Sequence, residues 1–343
     1  MEELSMDMIE TAETIGLEGK VLFRLPIGNG IPVYAYGAVI ALAALACFVM
    51  LIIRSRKIGR DTAALAGCLM AVLGTVLSRL VYCFATESFL SAFAFSNLYA
   101  VSLGGFSMYG ALGGMVLGAW LASKAGRKKA GDMLDALAPC LMLFVLIARC
   151  GEWNSNLGIS RQLTEERGNA WLFGTVFAYT EDGYFYYLRT YLFEIATALI
   201  LFIVLLASGK ATEKKSGNLF LRFMILFGAT QVIWEALRSD HHMKFNFVGV
   251  QHIMSYTLLT IAIVILAVRS IRSGKKGTAV LALSLILPVA GAAVGLEFLL
   301  DRSNISRYLL YAIYAVMMAS MAVLGLTLEK QSRTEPGETK NID

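Results

Sequence analysis

Nine runs of about 20 mostly apolar residues, at about 31-53, 61-84, 105-123, 132-150, 188-207, 218-237, 248-268, 278-299 and 306-328, fill most of this 343-residue chain. A helix rises 1.5 Å per residue, so about 20 residues cross roughly 30 Å of hydrocarbon. Inside lipid every backbone N–H and C=O must be paired within the protein, and a segment of this length does that as a helix. With 57% hydrophobic and only 16% charged residues, the chain is too apolar for an ordinary soluble domain. The expected fold is an all-α integral membrane protein.

The net charge of +5 is distributed by topology and does not call for a nucleic-acid partner. Arg54, Arg56, Lys57 and Arg60 follow the first run, and Lys124, Arg127, Lys128 and Lys129 follow the third. Lys210, Lys214 and Lys215 follow the fifth, and Arg269, Arg272, Lys275 and Lys276 follow the seventh. Basic connections stay cytoplasmic, so this alternation predicts an exported N-terminus and a cytoplasmic C-terminus. Residues 1-30 read as an exported tail without the pattern of a signal peptide, and 329-343 as a polar cytoplasmic tail. The aromatic-rich break at 151-187 predicts a small folded head on the outer face. The five cysteines lie singly and read as packing residues.

With that topology, counting along each helix brings polar groups from seven different runs to one depth near the outer face. They are Tyr36, Arg79, Tyr109, Arg149 with Glu152, Glu194, Gln231 with Glu235, and Gln251 with His252. Ionisable groups within spans are expensive and normally face a bundle interior or a wet cavity. Arginines at the depth of the outer headgroups suit a phospholipid phosphate, which guanidinium binds through paired, charge-assisted hydrogen bonds. Carboxylates beside them can orient the arginines or move protons. Such a cavity would be an outer-leaflet lipid-processing site. Gly110, Gly114 and Gly118, four apart in the third run, let another helix or a lipid chain approach closely. Asp132 and Asp135 read as capping groups at the start of the fourth run, and the rest of the inner half reads as dry. No metal site or other cofactor is expected, because the adjacent His241 and His242 with Asp240 and His252 make a poor ligand set.

Seven short motifs, in order between about Pro32 and Ser255, resemble those of the bacterial prolipoprotein diacylglyceryl transferases. VYAYG at 33-37, LSRLVY at 77-82, GGFSMYGALGG at 104-114 and DALAP at 135-139 with Arg149 beyond it are similar to the family's first four motifs. RTYLFE at 189-194, WEALR at 234-238 and VGVQHIMS at 248-255 are similar to the remaining three. The resemblance implies a seven-helix transferase-like membrane core over 31-270, with about two extra C-terminal helices at 278-328. It also implies transfer of a diacylglyceryl group from phosphatidylglycerol to the lipobox cysteine thiol of an exported prolipoprotein, with Arg149, Tyr36, Tyr109, Glu152 and Glu235 at the reacting centre. Arg79, Gly110, Asn154, Asn156, Gly158, Glu194, Gln231, Gln251 and His252 would bind the substrates. Tyr109 stands where the family has histidine, Glu152 where it has asparagine, and Gln231 where it has arginine. The rival expectation is a phospholipid- or partner-binding membrane protein of the same fold without turnover.

Overall fold

The computed structural model describes residues 21–26, 31–86, 98, 105–154, 158, 160, 177–179, 186–212, 216–238, 244–245, 248–303 and 305–333. Among them are nine long helices: α1 Ala35–Ile53, α2 Arg60–Ala85, α3 Met108–Ala125, α4 Ala130–Cys150, α5 Thr190–Thr212, α6 Asn218–Leu237, α7 Val250–Arg272, α8 Lys276–Arg302 and α9 Arg307–Arg333. Eight are long and apolar enough to cross a membrane; α3, 18 residues diluted by four glycines and Lys124, falls short of the nine spans expected. The chain is a multi-pass membrane protein built as a helical bundle.

Helix α3 begins at Met108 because Ser107 caps it, accepting from Gly110 N at 3.2 Å. Its glycines lie on the α2 backbone: a Cβ at Gly110 would sit 2.5 Å from Leu77 O, at Gly114 2.2 Å from Leu73 O, and at Gly118 2.7 Å from Met70 N. Those contacts run α3 antiparallel along α2 for its whole length. Without water to drive association inside lipid, such close backbone approach supplies the packing attraction. This places the glycine stripe, Gly110 included, between two helices.

Helices α4 and α6 are the most enclosed of the bundle. Helix α4 packs on α1, α3, α5 and α6, while α6 also meets α7 and α9. Asp135 accepts from Gly217 N (2.7 Å) and Phe220 N (2.9 Å), so it caps α6 and not the helix that carries it. The end of the bundle near these basic connections is also less dry than expected, since Arg222 Nε pairs with the buried Glu329 at 2.9 Å. At the opposite end, β1 (Val21–Leu25) pairs antiparallel with β2 (Ile31–Tyr34), from Val21↔Tyr34 to Leu25↔Ile31, so part of the expected tail is a strand leading into α1. The expected head lies largely outside the described residues, which retain a 3-10 turn, Gly151–Asn154, and a hairpin of β3 (Phe177–Tyr179) with β4 (Tyr186–Leu188). A last hairpin, β5 (Lys244–Phe245) with β6 (Val248–Gly249), leads into α7.

Candidate functional site

The apolar run of α4 ends in Arg149, and the 3-10 turn that follows folds Glu152 back against it. Arg149 Nη1 lies 2.5 Å from Glu152 Oε1, and its Nη2 lies 2.7 Å from Glu194 Oε2 near the start of α5. Arg238, at the C-terminal cap of α6, completes the arrangement: its Nη1 is 2.9 Å from Glu194 Oε1 and 3.3 Å from Glu152 Oε2. Each carboxylate therefore spans both guanidiniums, and the four side chains close into a ring of alternating charge that ties α4, α5 and α6 together. All four are buried, with Arg149 4% and Glu194 1% exposed. Charges removed from water are tolerated only with such complete compensation.

Two α6 side chains approach the ring from below. Gln231 Oε1 accepts from Arg149 Nη2 at 3.4 Å, and Glu235 Oε1 lies 3.9 Å from the same nitrogen. Glycines let the backbone close around the ring. A Cβ at Gly158, which has φ +71°, would lie 2.6 Å from Glu152 Oε2, and one at Gly151 would lie 2.9 Å from the Tyr36 ring. Gly158 O in turn accepts from Thr190 Oγ1 (2.6 Å) and Tyr191 N (3.2 Å), which fixes the start of α5 beside the ring.

A cavity of about 740 Å³ leads away from this polar centre. Tyr36, Ser78, Ser107, Arg149, Glu152, Arg238 and Gln251 line its polar part, and the remaining wall is mostly apolar, from Gly37 to Phe48 on α1 and from Gly67 to Gly74 on α2, with Met115 and Phe144. Ala41, Ala44, Cys68 and Ala71 are exposed, so the cavity opens sideways between α1 and α2 to whatever surrounds the bundle. From Tyr36 to the level of Phe48 is twelve residues of α1, or about 18 Å. The Phe48 ring lies across Gly67, where a Cβ would meet it at 2.1 Å.

Other expected residues occupy neighbouring positions. Tyr109 hydrogen-bonds Ser255 across the α3–α7 contact; because Ser255 Oγ donates to Gln251 O (2.7 Å), the Tyr109 hydroxyl is the donor in that pair. Arg79 donates to Gly105 O (2.9 Å) with its guanidinium 5.9 Å from the centroids of Tyr82 and Phe106, and it does not join the described lining of the cavity. His252 faces α8 and α9. Asn154 is described in its backbone alone, and Asn156, His241 and His242 lie outside the described residues. No group of three or more His, Cys, Asp or Glu among the described residues could hold a metal ion. The residue that the sequence expectation passed over is Arg238. Its signal was the spacing in WEALR, where Glu235 and Arg238 repeat the three-residue separation of Arg149 and Glu152.

Residues 20–268 match the family described as prolipoprotein diacylglyceryl transferase. Individual relatives carry the name phosphatidylglycerol–prolipoprotein diacylglyceryl transferase. The chain is 27% identical over 255 residues to that of Listeria innocua, covering 72% of this chain and 89% of the relative. It is 24% identical to that of Clostridium novyi (71% and 94% covered) and 23% identical to that of Oceanobacillus iheyensis (69% and 84%).

Proposed function

Since the chain belongs to the prolipoprotein diacylglyceryl transferase family, we propose that it transfers a diacylglyceryl group from phosphatidylglycerol to the lipobox cysteine thiol of an exported prolipoprotein. The site lies in the outer leaflet of a bacterial cytoplasmic membrane, with the N-terminus outside and the C-terminus in the cytoplasm. One observation carries this reading: a laterally open apolar cavity ends at two buried arginines held between two glutamates. Acyl chains fit the apolar length, and the headgroup phosphate then meets the polar end.

In the reaction the cysteine sulfur bonds to the carbon of the diacylglycerol moiety that carries the phosphate ester. The C–O bond breaks, its electron pair leaves on the phosphate oxygen, and glycerol phosphate departs. Arg149 and Arg238 face the charge that develops on the leaving group, a role strengthened by burial in low dielectric. Glu152, Glu194 and Gln231 hold Arg149 in place, and Tyr36 and Gln251 hydrogen-bond the headgroup from the cavity wall. Glu235, outside the closed ring but 3.9 Å from Arg149, takes the thiol proton. Tyr109 with Ser255 fixes α3 against α7 at the same level. Gly110 and Arg79 support the α2–α3 side, and Asn154 and Asn156 belong to the approach of the exported substrate.

The test is transfer from labelled phosphatidylglycerol to a synthetic lipobox peptide by the purified full chain in detergent. Removing one preorganised donor costs about 10²–10³-fold in turnover, the loss expected for Arg149→Lys and, at the lower end, Tyr36→Phe. Unchanged transfer by both folded variants would remove the mechanism. The closed ring favours a second reading, phospholipid or partner binding without turnover, because both arginines already have carboxylate partners. Lipid association without thioether product, lost in Arg149→Lys, would select it.

A further inference from the structure

Helices α8 and α9 lie beyond residues 20–268, yet they reach the level of the site through α7. Tyr314 of α9, fully buried, donates its hydroxyl proton to Ala293 O of α8 at 2.9 Å. Its oxygen therefore accepts from His252 Nε2, also at 2.9 Å. The other ring nitrogen of His252, Nδ1, lies 3.6 Å from Glu297 Oε1 of α8. His252 and Glu297 are 5% and 3% exposed. One turn deeper, Tyr256 donates to Ile286 O of α8 at 2.6 Å. His252 and Tyr256 are four residues apart and so share one face of α7.

The neighbouring face of α7 carries Gln251, which lines the cavity, and Ser255, which receives the Tyr109 hydroxyl. At about 100° per residue, Gln251 and Ser255 lie about 40° apart around the helix, and His252 about 60° beyond Ser255. A tie at His252 thus fixes the rotation of α7 that directs Gln251 and Ser255 inward. We propose that the α8–α9 pair is a built-in positioning element of the transfer site, acting through His252 on Gln251 and Ser255. This rests on the transferase reading for its effect on turnover, and it makes His252 a positioning residue.

The experiment is a double-substitution cycle in the full chain, Tyr314→Phe with Ser255→Ala, read by transfer from labelled phosphatidylglycerol. Each single substitution lowers kcat several-fold and raises KM for the lipid by a smaller factor, because the headgroup contact of Gln251 shifts while the α1–α2 wall that holds the chains is untouched. The double variant falls no lower than the less active single, since both act through the same rotation of α7; losses that multiply overturn the proposal. Glu297→Gln, which keeps a polar group of the same size beside the imidazole, retains turnover, whereas Glu297→Leu does not, and equal loss in both also counts against it. Absence of transfer by the wild-type chain fails the transferase reading instead. The positional link is then judged by the same cycle on the thermal denaturation midpoint in detergent, where coupled shifts sustain it and additive shifts overturn it.

Discussion

Arg149 and Arg238 share the same two carboxylates, so neither arginine is an independent unit. Removing one guanidinium leaves buried negative charge, which typically costs about 3–5 kcal/mol. Arg238→Met is therefore expected to lower the thermal midpoint in detergent sharply, and adding Glu194→Gln to recover part of the loss by restoring one positive against one negative member. A double variant no more stable than Arg238→Met would show that the four do not act together. Arg149 and Glu152 were legible as a charged pair three residues apart where an apolar run stops. Arg238 was visible only as the end of WEALR and was given no role, because a cation just beyond a span reads as an ordinary interfacial residue, and nothing in its own helix reveals carboxylates on α5 and in the turn after α4.

The helical elements were legible from hydrophobic run length, and the α3 glycine stripe from its spacing. Their partners were not. Asp135 looked like a cap for its own helix and serves α6, since which N–H groups a carboxylate meets depends on the packing of a neighbour. The α2–α3 interface allows a test between adjacent residues. A Cβ at Gly113 would meet nothing within 4 Å, whereas one at Gly114 would meet the Leu73 backbone at 2.2 Å. Gly113→Ala is expected to leave folded yield and thermal midpoint unchanged, while Gly114→Ala costs about 1–3 kcal/mol through overpacking against atoms that cannot rotate away. Equal behaviour of the two by size-exclusion profile and melting would mean that the close approach is not what holds α3.

At the scale of the molecule, the alternation of basic connections predicts the direction of insertion, and the bundle collects the polar centre at the end away from them. A fluorescent reporter that matures only in the cytoplasm, fused after Asp343, is expected to glow in intact cells; a dark but full-length fusion would invert the orientation and move the site to the inner leaflet. The convergence at one depth was legible because helix geometry turns residue count into distance. The division of that layer was not, for His252 belongs to the α8–α9 contact while Arg149 belongs to the α4–α5–α6 ring, and depth alone cannot separate them.

The cavity runs about 18 Å from Tyr36 to the level of Phe48, somewhat more than half of a hydrocarbon core about 30 Å thick. With the site in the outer leaflet as proposed, the polar centre is held at a fixed height above the middle of the bilayer, whereas the headgroups of surrounding lipids rise or fall with the length of their tails. A thick membrane offers its phosphates above the arginines and a thin one offers them below. On the proposed transferase reading, two membranes of identical headgroup content and unequal thickness would then be different substrates, and rates measured in them comparable only after the thickness is matched.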